Sequence, residues 1–305
     1  MLFVFLDGVG LGENDANVNP LVASDLPVLR ALIGDAPHRA AAPRSEPGLV
    51  FRPLDAGLGH AGAPQSATGQ TALLTGLNAS DLMNGHYGPW PGPTLLKVLA
   101  NDTLFHDGQA QGGSALANAY PPDYFSAIRA TAMTAARRGR RLRHNAPVAA
   151  AIAAGVALRG VEAYRRGEAL ASDLEGAYFE KLGAGLARSS PEQSGERLAA
   201  IAAANAFTFL DIWLTDELGH LGDMSLAGEL LGRIDRMLGA ALPGLGDTTL
   251  VLTSDHGNLE EMSARRHTRN PVPLLAVGPG AARFAAAESL LDVAPAVRLL
   301  LSSRV

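Results

Sequence analysis

Thr253-Ser254-Asp255-His256-Gly257-Asn258, with His267-Thr268-Arg269-Asn270-Pro271-Val272-Pro273 close behind it, is the stretch around which the chain is organised. The residues just before it, Thr248-Thr249-Leu250-Val251-Leu252, are apolar and β-branched and predict a buried strand. Asp255 and His256 then fall at the end of that strand, and Gly257 allows the backbone to turn sharply. In an open α/β sheet ligands gather at the C-terminal edge, so a carboxylate and an imidazole there are well placed to hold a cation. Taken alone, Asp-His-Gly serves equally well as a turn with a capping Asp and a surface His. Other segments decide between the two.

Working outward, Leu2-Phe3-Val4-Phe5-Leu6 predicts a central strand, followed by Asp7-Gly8-Val9-Gly10-Leu11-Gly12. The glycines suggest a dinucleotide loop, but the third is misplaced and no helix-forming stretch follows directly. Asp7 would also meet a pyrophosphate with the wrong charge; it suits a cation. Residues 206–214 predict another strand, and Asp216-Glu217-Leu218-Gly219-His220 comes immediately after it. In a helical turn the i, i+4 spacing puts Asp216 and His220 on one face, where they could share a cation or form a surface ion pair. In Pro64-Gln65-Ser66-Ala67-Thr68-Gly69-Gln70-Thr71-Ala72-Leu73-Leu74-Thr75-Gly76, Ser66 is expected to N-cap a helix that Gly76 ends. A hydroxyl at a helix N-terminus is either a simple cap or a neighbour for a phosphate, which the dipole and free N–H groups favour there.

The remaining segments read as an α/β chain. A strand is expected near Leu49–Leu54, a helix over 94–109, a short strand over 114–120 and a last strand over 274–277. Further helices are expected over 191–205, 224–242 and 290–301. Between 121 and about 190 the sequence is Ala- and Arg-rich and helical in character. It contains Arg137-Arg138-Gly139-Arg140-Arg141-Leu142-Arg143-His144, which fits a solvated face or a basic rim attracting an anion. With 305 residues, 47% of them hydrophobic, the chain can form one large domain or a core with an insertion. A net charge of −5 argues against nucleic acid as the main partner. The absence of cysteine excludes disulfides, thiolate metal sites and a Cys nucleophile. The apolar start ends at Asp7, too early for a signal peptide or membrane span, and a cytoplasmic location is expected.

Together, Asp7, Asp216, Asp255, His220, His256, His267 and the Ser66 hydroxyl are about the set that two divalent cations need. These motifs resemble the alkaline phosphatase superfamily, most closely its branch of cofactor-independent phosphoglycerate mutases and phosphopentomutases. Asp216-Glu217-Leu218-Gly219-His220 is similar to that branch's Asp-x-x-Gly-His. Thr253-Ser254-Asp255-His256-Gly257-Asn258 resembles its Thr-Ala-Asp-His-Gly-Asn, and residues 267–273 resemble its His-Thr-x-x-Pro-Val-Pro. The likeness covers roughly residues 1–80 and 206–280, in the expected order.

The resemblance implies a three-layer α/β core, a mostly parallel open sheet flanked by helices, formed by residues 1–120 and 191–305. A mainly helical cap, residues 121–190, would be inserted in it. It implies one ion on Asp216, His220 and His267. A second would sit on Asp7, Asp255 and His256, with Ser66 as ligand and as nucleophile. The ions expected are zinc or manganese, with magnesium or cobalt accepted by the same donors. The implied activity is phosphoryl transfer on a small phosphorylated substrate through phosphoserine, as a phosphatase or phosphomutase. His60, Gln70, Arg137 and Arg141 are candidate substrate contacts; His38, His86, His106 and His144 are expected to be structural or at the surface. Where the mutases show Gly-His after the nucleophile, this chain has Gly69-Gln70, and its inserted segment is short. A sulfatase is disfavoured, because Ser66-Ala67-Thr68-Gly69 lacks the Pro/Arg signature. A phosphodiesterase or nucleotide pyrophosphatase is the alternative and would want an aromatic slot, for which Tyr87 and Trp90 are candidates. A non-catalytic relative would have lost ligands, whereas all seven positions are filled. Oligomeric state is left open.

Overall fold

A computed structural model describes residues 1–134, 143–181 and 186–303. The strands are β1 (Leu2–Leu6), β2 (Arg44–Glu46), β3 (Leu49–Leu54), β4 (Ser114–Leu116), β5 (Ala119–Tyr120), β6 (Arg159–Gly160), β7 (Phe207–Ile212), β8 (Leu250–Thr253) and β9 (Val272–Val277). Seven of them form one sheet in the order β2-β3-β9-β8-β1-β7-β4. The β8-β1-β7-β4 block is parallel, with Phe5 opposite both Asp211 and Thr253. On the other side β9, β3 and β2 are added antiparallel. β1, β7 and β8 are buried along their whole length, which is why their sequences are nearly continuous apolar runs: a parallel strand is covered on both faces.

The alternation of side chains divides the interior in two. Phe3, Phe5, Phe207 and Phe209 point to one face, where Phe3 stacks on Phe209 at 5.0 Å and Phe105 meets Phe207 edge-on at 5.3 Å. The helices Ser66–Thr75, Leu104–Ala110 and Val293–Ser302 cover that face. Leu2, Val4, Leu6, Leu210 and Ile212 point to the other face, under the helices Pro27–Ile33, Pro191–Ala203 and Met224–Ala241. The result is a helix–sheet–helix sandwich with two apolar layers.

Several boundaries differ from expectation. The segment 94–109 is two helices, Pro93–Leu99 and Leu104–Ala110, separated at Thr103, whose extended backbone starts the second. The segment 114–120 is two strands; β5 leaves the main sheet and pairs with β6. Gln65, not Ser66, is the N-cap of the Ser66–Thr75 helix, so Ser66 is its first helical residue. Gly76 ends that helix at φ +76°, as the turn requires. Within 121–190, the helix Ala146–Ala153 puts Ala146, Val148, Ala150 and Ala151 into the same apolar layer as Phe3 and Phe5. Val156 joins that layer and Leu170 and Leu174 the other, while Ala119, Tyr164, Ala169, Ala171, Phe179 and Leu186 form a separate small cluster. Among the described residues no helix is long and apolar enough to cross a membrane.

Candidate metal centre

Three neighbouring parallel strands deliver the acidic groups to one edge. Asp7 follows β1, Asp216 lies in the helix Leu214–Leu221 just after β7, and Asp255 and His256 follow β8. Ser66, at the start of its wholly buried helix, puts Oγ 3.0 Å from His256 Nε2. His256 Nε2 also lies 3.4 Å from Asp7 Oδ1 and 3.7 Å from Asp255 Oδ2. His267 Nε2 is 3.7 Å from Asp216 Oδ1, and its ring stacks on that of His256 at 3.8 Å. Two groups of three, Asp7/Asp255/His256 and Asp216/His256/His267, bring one ligand atom each to within 4.8 Å of one another. His220 stands at the margin, 46% exposed, with Nε2 3.4 Å from Asp216 Oδ2.

All three imidazoles have the same orientation. Nδ1 of His256 meets Gly257 O at 3.3 Å, Nδ1 of His267 meets Pro64 O at 2.8 Å, and Nδ1 of His220 meets Arg265 O at 3.3 Å. A carbonyl can only accept, so Nδ1 of His256 and of His267 carries the proton. The Nε2 lone pair of His256 takes the Ser66 hydroxyl and faces Asp7 and Asp255, and that of His267 faces Asp216. Burial lowers the pKa of His256, and burial together with His256 lowers that of His267, so both rings are held neutral. Lone pairs therefore face lone pairs, an arrangement that a bound cation would stabilise.

The carboxylates carry the same strain. Asp7 and Asp255 are pushed above the usual carboxylate range, first by burial; for Asp7 the neighbouring Asp255, Asp216 and Asp211 add to it. Among the described residues the ion-pair partners of Asp7, Asp216 and Asp255 are histidines only. Among the described residues buried Asp7 Oδ1 also has no hydrogen-bond donor. An uncompensated buried charge of this kind costs several kcal/mol, and a divalent cation is the partner that fits: the donors are all imidazole and carboxylate.

The loops are held to match. Gly8, at φ +67°, donates its N–H to Asp255 Oδ1 at 3.3 Å, and a Cβ there would run into Asp216. Asn258 donates through Nδ2 to Asp216 Oδ1 at 2.7 Å, and Thr215 Oγ1 donates to Asp7 O at 2.5 Å. Sequence reading assigned no role to Asn258 or Thr215. Their adjacency to the motifs was the available signal, but neither partner is near in sequence. Gln70, expected near a substrate, is 2% exposed and donates through Nε2 to Asp7 Oδ2 at 3.2 Å and Asp255 Oδ2 at 3.1 Å. It lies against the carboxylates because, four residues after Ser66, it is on the same face of the helix. His60 bonds Asp81 Oδ1 at 2.7 Å and lies outside the carboxylate cluster. Arg137 and Arg141 fall outside the described residues.

Over residues 1–303 the sequence matches the metalloenzyme superfamily. This chain belongs to that superfamily. The match extends over both motif-bearing halves and bears out the resemblance to alkaline phosphatase-like enzymes. The metalloenzyme is 33% identical over 123 residues to the 2,3-bisphosphoglycerate-independent phosphoglycerate mutase of Cereibacter sphaeroides, 37% of this chain but 24% of that enzyme. It is 41% identical over 96 residues to the corresponding mutase of Desulforudis audaxviator, 28% of this chain and 19% of the mutase. It thus aligns with about a quarter or less of the length of these curated relatives. Among solved structures, a protein from Pyrococcus horikoshii superposes with a TM-score of 0.57 at 16% identity, covering 99% of this chain and 96% of that one. Alkaline phosphatase from the Antarctic bacterium TAB5 does so with a TM-score of 0.53 at 13% identity, covering 99% and 98%. At these identities the likeness is one of fold, and the fold is the alkaline phosphatase-like α/β core.

Proposed function

We propose that this metalloenzyme transfers phosphoryl groups from small phosphate monoesters through a phosphoserine at Ser66, as a phosphatase or phosphomutase. The observation that carries this is the position of Ser66 Oγ, 3.0 Å from His256 Nε2 at the border of the acidic cluster and at the N-terminus of a buried helix. Asp216, His220 and His267 would hold one divalent cation and Asp7, Asp255 and His256 a second, zinc or manganese, with Ser66 against the latter. When bound, such ions lower the pKa of the serine hydroxyl and neutralise charge on the phosphoryl oxygens.

Ser66 Oγ attacks phosphorus as the bond to the substrate's ester oxygen breaks, and the alcohol leaves with the proton. The positive end of the helix dipole at Ser66 favours the phosphoryl group in both states. Water or a second hydroxyl then attacks phosphorus from the side the alcohol left, and Ser66 departs, its oxygen taking up the proton that the attacking group gives off. Two in-line displacements retain configuration at phosphorus overall. Gln70 ties Asp7 to Asp255 and so keeps the two carboxylates from spreading.

A second reading, hydrolysis of a nucleotide diester, is favoured by Tyr87 and Trp90, which are 40% and 41% exposed. Tyr87 is next to the nucleophile's helix, where its carbonyl accepts the Thr68 N–H at 3.1 Å. Phosphorus NMR of metal-loaded protein with sugar phosphates, phosphoglycerates, simple monoesters and a nucleotide diester separates the outcomes. Free phosphate marks a phosphatase, and migration between hydroxyls without release marks a mutase. Ser66→Ala is expected to abolish either while leaving the fold intact, since it removes only one hydroxyl. Undiminished turnover in that variant would refute the nucleophile.

A further inference from the structure

Glu260 is 1% exposed, and among the described residues no cation pairs with it. Four donors surround its carboxylate instead. Oε2 accepts the backbone N–H of Gly10 at 2.8 Å and that of Asn258 at 2.8 Å. Oε1 accepts from Thr268 Oγ1 and, at 3.0 Å, from Asn270 Nδ2. A Cβ on Gly10 or on Gly257 would run into this carboxylate, so two motif glycines leave the space that it fills. The donors come from three separate segments: Gly10 lies in the Asp7 loop, Asn258 just after His256, and Thr268 and Asn270 just after His267. Asn258 also reaches the fourth, because its side chain donates to Asp216 Oδ1.

Each segment bearing a candidate Asp or His ligand thus ends on Glu260, directly or through one residue. We infer that Glu260 is a positioning residue that fixes the loop of His267 relative to those of Asp7 and His256, and with it the site of one cation relative to the other. This rests on the two-cation proposal above.

The chemistry of the four donors makes the inference testable. Glu260→Gln keeps the shape but offers one acceptor and one donor. The backbone N–H groups of Gly10 and Asn258 cannot turn round, so the amide oxygen must stay with them. The amide N–H₂ then faces Thr268 and Asn270. Thr268 can rotate to accept, whereas Asn270 can do so only by giving up its bond from Arg39. The disturbance falls on the His267 side alone.

Manganese titrations of the whole 305-residue, metal-stripped chain, by calorimetry and electron paramagnetic resonance, read this out without turnover. His267→Ala marks which of two binding steps belongs to the Asp216/His220/His267 site. Glu260→Gln is expected to weaken that step about tenfold or more and the other by less than twofold, in the range typical of groups that orient ligands. Thr268→Val, which removes a donor from the same side and keeps Glu260, should weaken the same step. The double variant should be no worse than the weaker single, since both cut one link. If Glu260→Gln does not fold, Thr268→Val carries the test. Wild-type protein that binds two ions, with variants that lose neither or lose both equally, would overturn the role of Glu260 alone. Wild-type protein that binds fewer than two would overturn the two-cation proposal itself, and this inference with it.

Discussion

Asp211 lies inside β7, 1% exposed, with Asn145 Nδ2 donating to its Oδ2 at 2.7 Å and, among the described residues, no donor on Oδ1. Burial pushes its carboxyl up to about 7, against the opposing hydrogen bond from Asn145. In the unfolded chain the group loses its proton near the ordinary value of 3.8. Between roughly 4 and 7, therefore, the folded chain holds a proton that the unfolded chain has released, and Asp211 makes stability fall as pH rises through that window. Asp211→Asn has the same shape, stays neutral and removes this dependence. In metal-stripped protein, urea melts from about pH 3.5 to 8 should show the variant matching wild type only below about pH 4. It should gain on the order of a few kcal/mol by pH 8. A constant difference between the two curves would mean that Asp211 is ionised throughout. Tyr120 and Tyr124 feel the same carboxyl, which adds to the burial that raises their own pKa values. Tyr120, Tyr124 and Asn145 therefore gather beside this group.

At the scale of elements, the helix Pro27–Ile33 shows how a distant side chain can supply a cap. Leu26 precedes it without a capping side chain, and Asp235, from the middle of Met224–Ala241, accepts the N–H of Val28 at 3.0 Å and of Leu29 at 2.8 Å. Asp235→Ala would leave two N–H groups without an acceptor and remove a favourable charge from the helix start. A loss of about 1–3 kcal/mol in urea unfolding is expected, with manganese binding unchanged because the helix packs on the face away from Ser66. No loss would mean that water replaces the carboxylate. Legibility from the sequence follows the same division between local and distant causes. β1, β7 and β8 could be read because strands buried on both faces are uninterrupted apolar runs. The direction of β9 and β3 could not, since a period of two is the same for parallel and antiparallel pairing. The Ser66 helix was placed to within one residue, and its Gly76 stop follows from a left-handed turn. The break at Thr103 carried its own signal in Asn101-Asp102-Thr103, outweighed by apolar spacing on either side. Ligand candidates were legible because each sits at the end of a recognisable strand or turn. Glu260 and Asp235 were not, because each draws its partners from remote segments.

At the scale of the whole molecule, the parallel block brings carboxylates from three strand ends together, and a hydrophobic sandwich on both faces keeps water from solvating them. The metal-free fold is consequently strained in a pH-dependent way. Asp7 and Asp255 have pKa values raised by burial, and for both Asp216 adds repulsion. Raised carboxyl pKa values mean that the folded chain retains protons after the unfolded chain has lost them, so these carboxyls lower stability without metal as pH rises. The lowered pKa values of His256 and His267 act the other way below the ordinary imidazole value of 6.5 and not above it. A cation reverses the balance: it binds the deprotonated ligands, displaces their protons and binds more tightly as pH rises. At a free concentration of 100 times its dissociation constant, one ion contributes about 2.7 kcal/mol. The gap in melting temperature between manganese-loaded and chelator-treated protein should therefore be small at pH 5 and widen steadily to pH 8. Thermal melts at fixed free manganese measure it directly. A gap that stays constant, or is widest at pH 5, would mean that ligands other than these carboxylates hold the ions.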